Sequence, residues 1–148
     1  MTTHANETHM HATAEAYPVD VEFPDLAPYA AGNTGVPYVH TFDSGAAGPH
    51  VMINALTHGN EVCGAITVKA LIDAGVRPRK GRLTLAFANV DAYLTFDRRK
   101  PDASRFVDQD FNRVWSAAKL NDWSADSTEL RRARAMQPVI DTVDMLLD

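Results

Sequence analysis

The stretch Val51 to Leu71, VMINALTHGNEVCGAITVKAL, decides how this chain folds. It opens within an apolar run, His50 to Leu56, of the kind that forms a strand buried on both faces. The run breaks at Thr57-His58-Gly59-Asn60-Glu61. A helical pattern then extends from Asn60 to Ala74, with Val62, Ile66, Ala70 and Leu71 at helical spacing. Gly75 stands where a left-handed residue closes such a helix. A second apolar run, Leu83 to Ala88 (LTLAFA), predicts another buried strand. Strand, helix, strand is a βαβ unit with a right-handed crossover, so the class is α/β.

Outward from this unit the signals weaken. Pro37 to Phe42 alternates and is rich in β-branched and aromatic residues, which predicts a strand, and Ser44 to Pro49 predicts a turn. Pro18, Pro24 and Pro28 favour an extended lead-in. Met1 to Ala16 is polar and aperiodic and reads as a mobile tail, leaving residues 17–148 as one domain. Its His9 and His11 form an H-x-H pair that reads as incidental. Asn89 to Asn112 reads as a long surface loop or several short pieces, and loops of that length in compact domains often carry function. Ser127 to Ile140 carries the last helical pattern, and Val143 to Leu147 predicts one more buried strand. The expected architecture is a mostly parallel or mixed sheet flanked by helices.

Composition excludes several functions. The 148 residues carry a formal charge of -5, which gives no footing for a nucleic-acid partner. The basic runs Arg77 to Arg82 and Arg98 to Lys100 are short and read as solvated surface. No apolar run is long enough to span a bilayer and the N-terminus lacks the features of a signal peptide, so the expected location is cytoplasmic. Cys63 is the only cysteine, which rules out an intrachain disulfide and a cysteine zinc cluster. It reads as a small buried helix residue.

The chemistry concentrates at His58 and Glu61. In open α/β sheets ligands gather beyond the carboxyl ends of the strands. A histidine just past a strand and a carboxylate in the first turn of the next helix can address one point there. Imidazole nitrogen and carboxylate oxygen suit Zn²⁺, which in catalytic sites takes three protein ligands and keeps a position open. Gly59 would allow a tight bend between the two. The competing reading is that Glu61 merely complements a helix N-terminus and His58 is an ordinary loop residue. His40 and His50 are candidate third ligands, although both fall in or beside strands upstream. A second constellation, Ser104 to Trp115 (SRFVDQDFNRVW), offers Arg105, Asn112 and Arg113 as a carboxylate clamp. Its competing reading is a solvated loop whose arginines pair with Asp108 and Asp110.

In order, H-G-N-E after a buried strand, then N-x-D-A, then S-R-F-V-D-Q-D-F-N-R resembles the succinylglutamate desuccinylase/aspartoacylase family, a branch of the zinc carboxypeptidase superfamily. The resemblance runs from about His50 to Asp148. It implies that His58 and Glu61 are ligands of one Zn²⁺, that Arg105, Asn112 and Arg113 bind substrate, and that Asp110 is a supporting residue. It implies hydrolysis of a small N-acyl amino acid, with zinc polarising the carbonyl and a glutamate as general base. Ala55 and Leu56 stand where the family often has glycines, and Asn89-Val90-Asp91-Ala92 lacks the family's proline. The family's third zinc ligand lies in an Asp-x-His strand ending. Asp148 aligns with that aspartate, so the histidine and the general base would lie downstream. The expectation is therefore the N-terminal part of such an enzyme, without a catalytic residue of its own and inactive alone. Two other readings stand beside it: a zinc carboxypeptidase acting on peptides, or a non-catalytic α/β module that assembles as a homo-oligomer through an open sheet edge.

Overall fold

The structure is a computed structural model and describes residues 20–148. The polar stretch read as a tail, with His9 and His11, lies outside the described residues. Four strands, β1 (Val39–Asp43), β2 (His50–Ala55), β3 (Arg82–Phe87) and β4 (Met145–Leu147), form one sheet in the order β1-β3-β2-β4. The β2–β3 and β2–β4 pairs are parallel and β1 runs antiparallel to β3, so the sheet is mixed and mostly parallel. The helices are α1 (Val62–Asp73), α2 (Val90–Tyr93), α3 (Ala117–Leu120) and α4 (Thr128–Ile140).

Side chains alternate across a strand, and here both faces of β3 are covered. Leu85 and Phe87 pack in one cluster with Val62, Ala65 and Val68 of α1. Ala86 and the following Ala88 pack in a second cluster with Phe111, Val114 and Leu130, Ala133 and Met136 of α4. A helix on each face explains why β3 reads as an unbroken apolar run. Helix α1 ends as expected at Gly75 (φ +65°). The Gly75 N–H donates to Ile72 O (2.9 Å) and the Val76 N–H to Leu71 O (3.1 Å), the double closure of a Schellman motif.

Three expectations about burial are corrected. Cys63 is exposed. Ile66 (39% exposed) and Ala70 also face outward, and α1 meets the sheet through Val62, Ala65 and Val68. The cause is close approach: a Cβ on Gly64 would sit 3.2 Å from the Ala55 Cβ, so the contacting face is built of small residues. The third correction concerns β4, whose Met145, Leu146 and Leu147 are 60%, 51% and 62% exposed. It is an edge strand paired with β2 alone.

The segment from Asn89 to Asn112 resolves into short pieces: α2 and two 3-10 turns, Pro101–Ser104 and Phe111–Arg113, the last ending one residue beyond it. Asn89 caps α2 by accepting the Ala92 N–H (3.4 Å), and Ser127 caps α4 by accepting the Leu130 N–H (3.0 Å). No helix among the described residues is long and apolar enough to cross a membrane.

Candidate functional site

His58 leaves the carboxyl end of β2 and is 3% exposed. Its Nδ1 lies 2.6 Å from Glu61 Oε1, and its backbone N–H donates to Glu61 Oε2 (2.9 Å). One carboxylate oxygen is thus taken by the main chain, and the other is aimed at the imidazole. On the far side of the ring, Nε2 lies 3.2 Å from Asp110 Oδ1. Asp110 also accepts the Asn112 N–H (2.9 Å) on Oδ1 and Arg105 Nη2 (3.4 Å) on Oδ2. The histidine of one motif and the aspartate of the other, 52 residues apart, are therefore in contact.

Burial pushes the Asp110 carboxyl up, but His58, the Asn112 N–H and Arg105 outweigh it and hold the carboxyl below its ordinary value. Carboxylates face both ring nitrogens, Glu61 at Nδ1 and Asp110 at Nε2; were a metal to take the Nδ1 lone pair, Asp110 would accept the Nε2 proton and hold the ring. Nδ1 and Glu61 Oε1 then form an N/O pair of the kind that zinc takes. Glu61 is 43% exposed in its side chain, so the carboxylate has room to open. No group of three or more His, Cys, Asp or Glu able to hold a metal occurs among the described residues. His50 is not such a ligand: at the amino end of β2 it lies 2.9 Å from Thr142 O and 2.7 Å from Thr84 Oγ1. His40 Nε2 lies 3.1 Å from Tyr29 O.

Gly59 lies in the tight turn expected between the two residues, closed by the Glu61 N–H donating to His58 O (3.1 Å), and its φ is not positive, so close packing is what calls for a glycine. A Cβ there would lie 2.4 Å from Ala92 C and Ser104 O and 2.5 Å from Tyr93 N. Its N–H donates to Arg105 O (3.1 Å). Three segments, the HGNE loop, α2 and the start of the SRF loop, meet at this one residue. The positive φ falls instead on Leu56 (+63°), one of the two positions noted against the family's glycines.

The remaining predicted residues are only partly gathered. Arg105 is 45% exposed in its side chain and turned to Asp110. The Arg113 and Asn112 side chains are exposed and make no hydrogen bond among the described residues. Asn112 lines an open cleft of about 480 Å³ with Asn54, Thr57, Phe111, Trp115 and Asp148. Among the described residues Asp108 forms no ion pair with Arg105 or Arg113; it accepts the Thr128 N–H at the start of α4 (2.7 Å).

Two features escaped the reading of the sequence. Asp148 Oδ1 accepts Thr57 Oγ1 (2.5 Å) and Asn54 Nδ2 (2.9 Å), which ties the end of β4 to the residue before His58. Asn54, a polar residue in an apolar run, was the available signal. Glu129, wholly buried, accepts the N–H groups of Val107 (2.7 Å), Asp108 (3.1 Å) and Gln109 (3.2 Å) and the Asn89 amide (3.2 Å). In the sequence it reads as one more acidic residue in a first helical turn. Burial pushes its carboxyl up, yet these donors prevail and hold it below the ordinary value.

A sign follows for pH. Carboxylates lowered in the fold, Glu129 and Asp110 among them, stabilise it fully above their unfolded values of 4.5 and 3.8. That stability is lost as pH falls through the lower folded values. Urea midpoints should therefore hold between about pH 7 and pH 5 and drop steeply below about pH 4.

An α/β sheet with a histidine–carboxylate pair beyond the carboxyl end of a central strand puts these groups where open α/β sheets gather ligands. The catalytic-domain model of the succinylglutamate desuccinylase/aspartoacylase family matches residues 47–148. The chain belongs to this family of zinc-dependent deacylases. Comparison with curated proteins and with solved structures gave no match.

Proposed function

We propose that this protein serves the hydrolysis of a small N-acyl amino acid, with His58 and Glu61 as two ligands of a Zn²⁺ ion. The observation that carries this reading is the contact of His58 Nε2 with Asp110 Oδ1, which joins the two motifs of the family at one point. Zinc, when bound, supplies a Lewis acid for the scissile carbonyl and lowers the pKa of a water. The chain's own residues hold and orient. Asp110 fixes the His58 ring, so that Nδ1 faces Glu61 Oε1. Arg105 presents its guanidinium beside Asp110, and to the exposed Asn112 and Arg113 of the next turn we assign the substrate's carboxylate and carbonyl.

With two donors among the described residues, His58 and Glu61 by themselves are expected to hold zinc weakly, a catalytic site needing a third ligand. With zinc held, the protein should release carboxylic acid from N-acetyl- or N-succinyl-amino acids, and a chelator should stop it. Absence of hydrolysis across a panel of acyl amino acids would overturn the deacylase reading. Turnover that survives replacement of both His58 and Glu61 by alanine would overturn the zinc site.

A further inference from the structure

The first turn of α4 grips both halves of the candidate site from behind. Glu129 gathers three consecutive backbone N–H groups, Val107 to Gln109, directly before Asp110. Its Oε1 also takes the amide of Asn89, the residue that caps α2, and α2 packs on Gly59. From the other side of the joint, Asp108 accepts the Thr128 N–H. Arg132, one turn along from Glu129, donates to the carbonyls of Ala88 (2.6 Å) and Phe87 (2.8 Å) at the end of β3. Loop amides go to the carboxylate and strand-end carbonyls go to the guanidinium.

Three successive amides converging on one buried carboxylate give the loop backbone a single arrangement. A loop that needed only burial would use its own turns and solvent. The geometry points to Glu129 as a positioning residue: it sets the loop register that brings Asp110 against His58 and Arg105 to the mouth of the site. It touches neither the histidine–glutamate pair nor the cleft, so its influence passes through the backbone of residues 107–110. The functional consequence rests on the zinc reading above, whereas the structural part does not.

Glu129→Gln tests it. The glutamine keeps the shape but presents an NH₂ group to at least one of the amides, removing an acceptor. In the 148-residue chain, backbone amide exchange at Val107, Asp108 and Gln109 should quicken at least tenfold. Exchange within β2 and β3 should change much less, and the ring ¹⁵N signals of His58 should shift. Zinc affinity, measured by competition with a chromogenic chelator, should fall severalfold. Unchanged exchange at residues 107–109 with unchanged His58 signals would overturn the proposal. So would a uniform loss of protection across the chain, which would make Glu129 a general stabiliser. Should Glu129→Gln fail to fold, Asp108→Asn loosens the same joint from the exposed side. It should give the same localised pattern in smaller amplitude, and a flat result there would equally overturn the role. If the wild-type chain takes up no zinc while exchange and ring signals move as stated, the zinc reading fails and the positioning role stands.

Discussion

Gly59→Ala is expected to destabilise the fold strongly and to disturb the candidate site with it. The added Cβ would meet three backbone atoms at 2.4–2.5 Å, in Ala92, Tyr93 and Ser104, and none of them is the movable end of a side chain. Relief requires α2 or the SRF loop to move off the His58 loop, breaking the bond from the Gly59 N–H to Arg105 O. Overpacking of this kind costs about 3 kcal/mol or more. In a domain of this size that lowers the melting temperature by roughly 6–12 °C. Thermal unfolding followed by circular dichroism checks it. A shift of under about 2 °C would mean that the three segments do not meet as described. Because the same joint supports Asp110, the variant should also lose the His58–Asp110 contact, visible in the histidine ring signals.

Arg132→Met should be nearly as costly, for an electrostatic reason. The Phe87 and Ala88 residues whose carbonyls it binds are fully buried. Burial pushes the guanidinium down to about 10, with Asp91 and Tyr38 pulling it back up, so it remains charged at neutral pH. Methionine fills the space but leaves two buried carbonyls without donors, at about 1–3 kcal/mol each. Arg132→Lys offers a single ammonium in place of the planar fork and should recover only part of the loss. Chemical denaturation of the three proteins orders them. Equal midpoints would show that solvent already satisfies those carbonyls.

How much of this was legible in the sequence follows the range of each interaction. The apolar runs of β2 and β3 announced themselves because both faces of those strands are covered. Gly75 marked its helix end because the left-handed closure is local. The pairing of His58 with Glu61 spans three residues and could be anticipated from spacing alone. The face of α1 could not, because the close approach at Gly64 favours small residues and turns Ile66 outward. Nor could the exposure of β4, since an apolar edge strand and a central one have the same composition. Glu129 is the instructive case. Its partners lie 20 to 40 residues away in a loop without periodicity, and no local pattern separates it from a surface glutamate. For Gly59 only half of the reason was visible: the tight turn is there, closed from the Glu61 N–H to His58 O, but the crowding is not local. Its flexibility was visible in the sequence, but the backbone atoms crowding it belong to α2 and the SRF loop.

The account stands most directly on zinc and the His58–Glu61 pair. Zinc should be titrated into the ¹⁵N-labelled 148-residue chain while the histidine ring signals are observed, with His58→Ala and Glu61→Ala in parallel. The account predicts that zinc moves the Nδ1 signal of His58 while Nε2 keeps its contact with Asp110, and that either substitution abolishes the response. Zinc that leaves His58 untouched, or binds equally well to both variants, would contradict it.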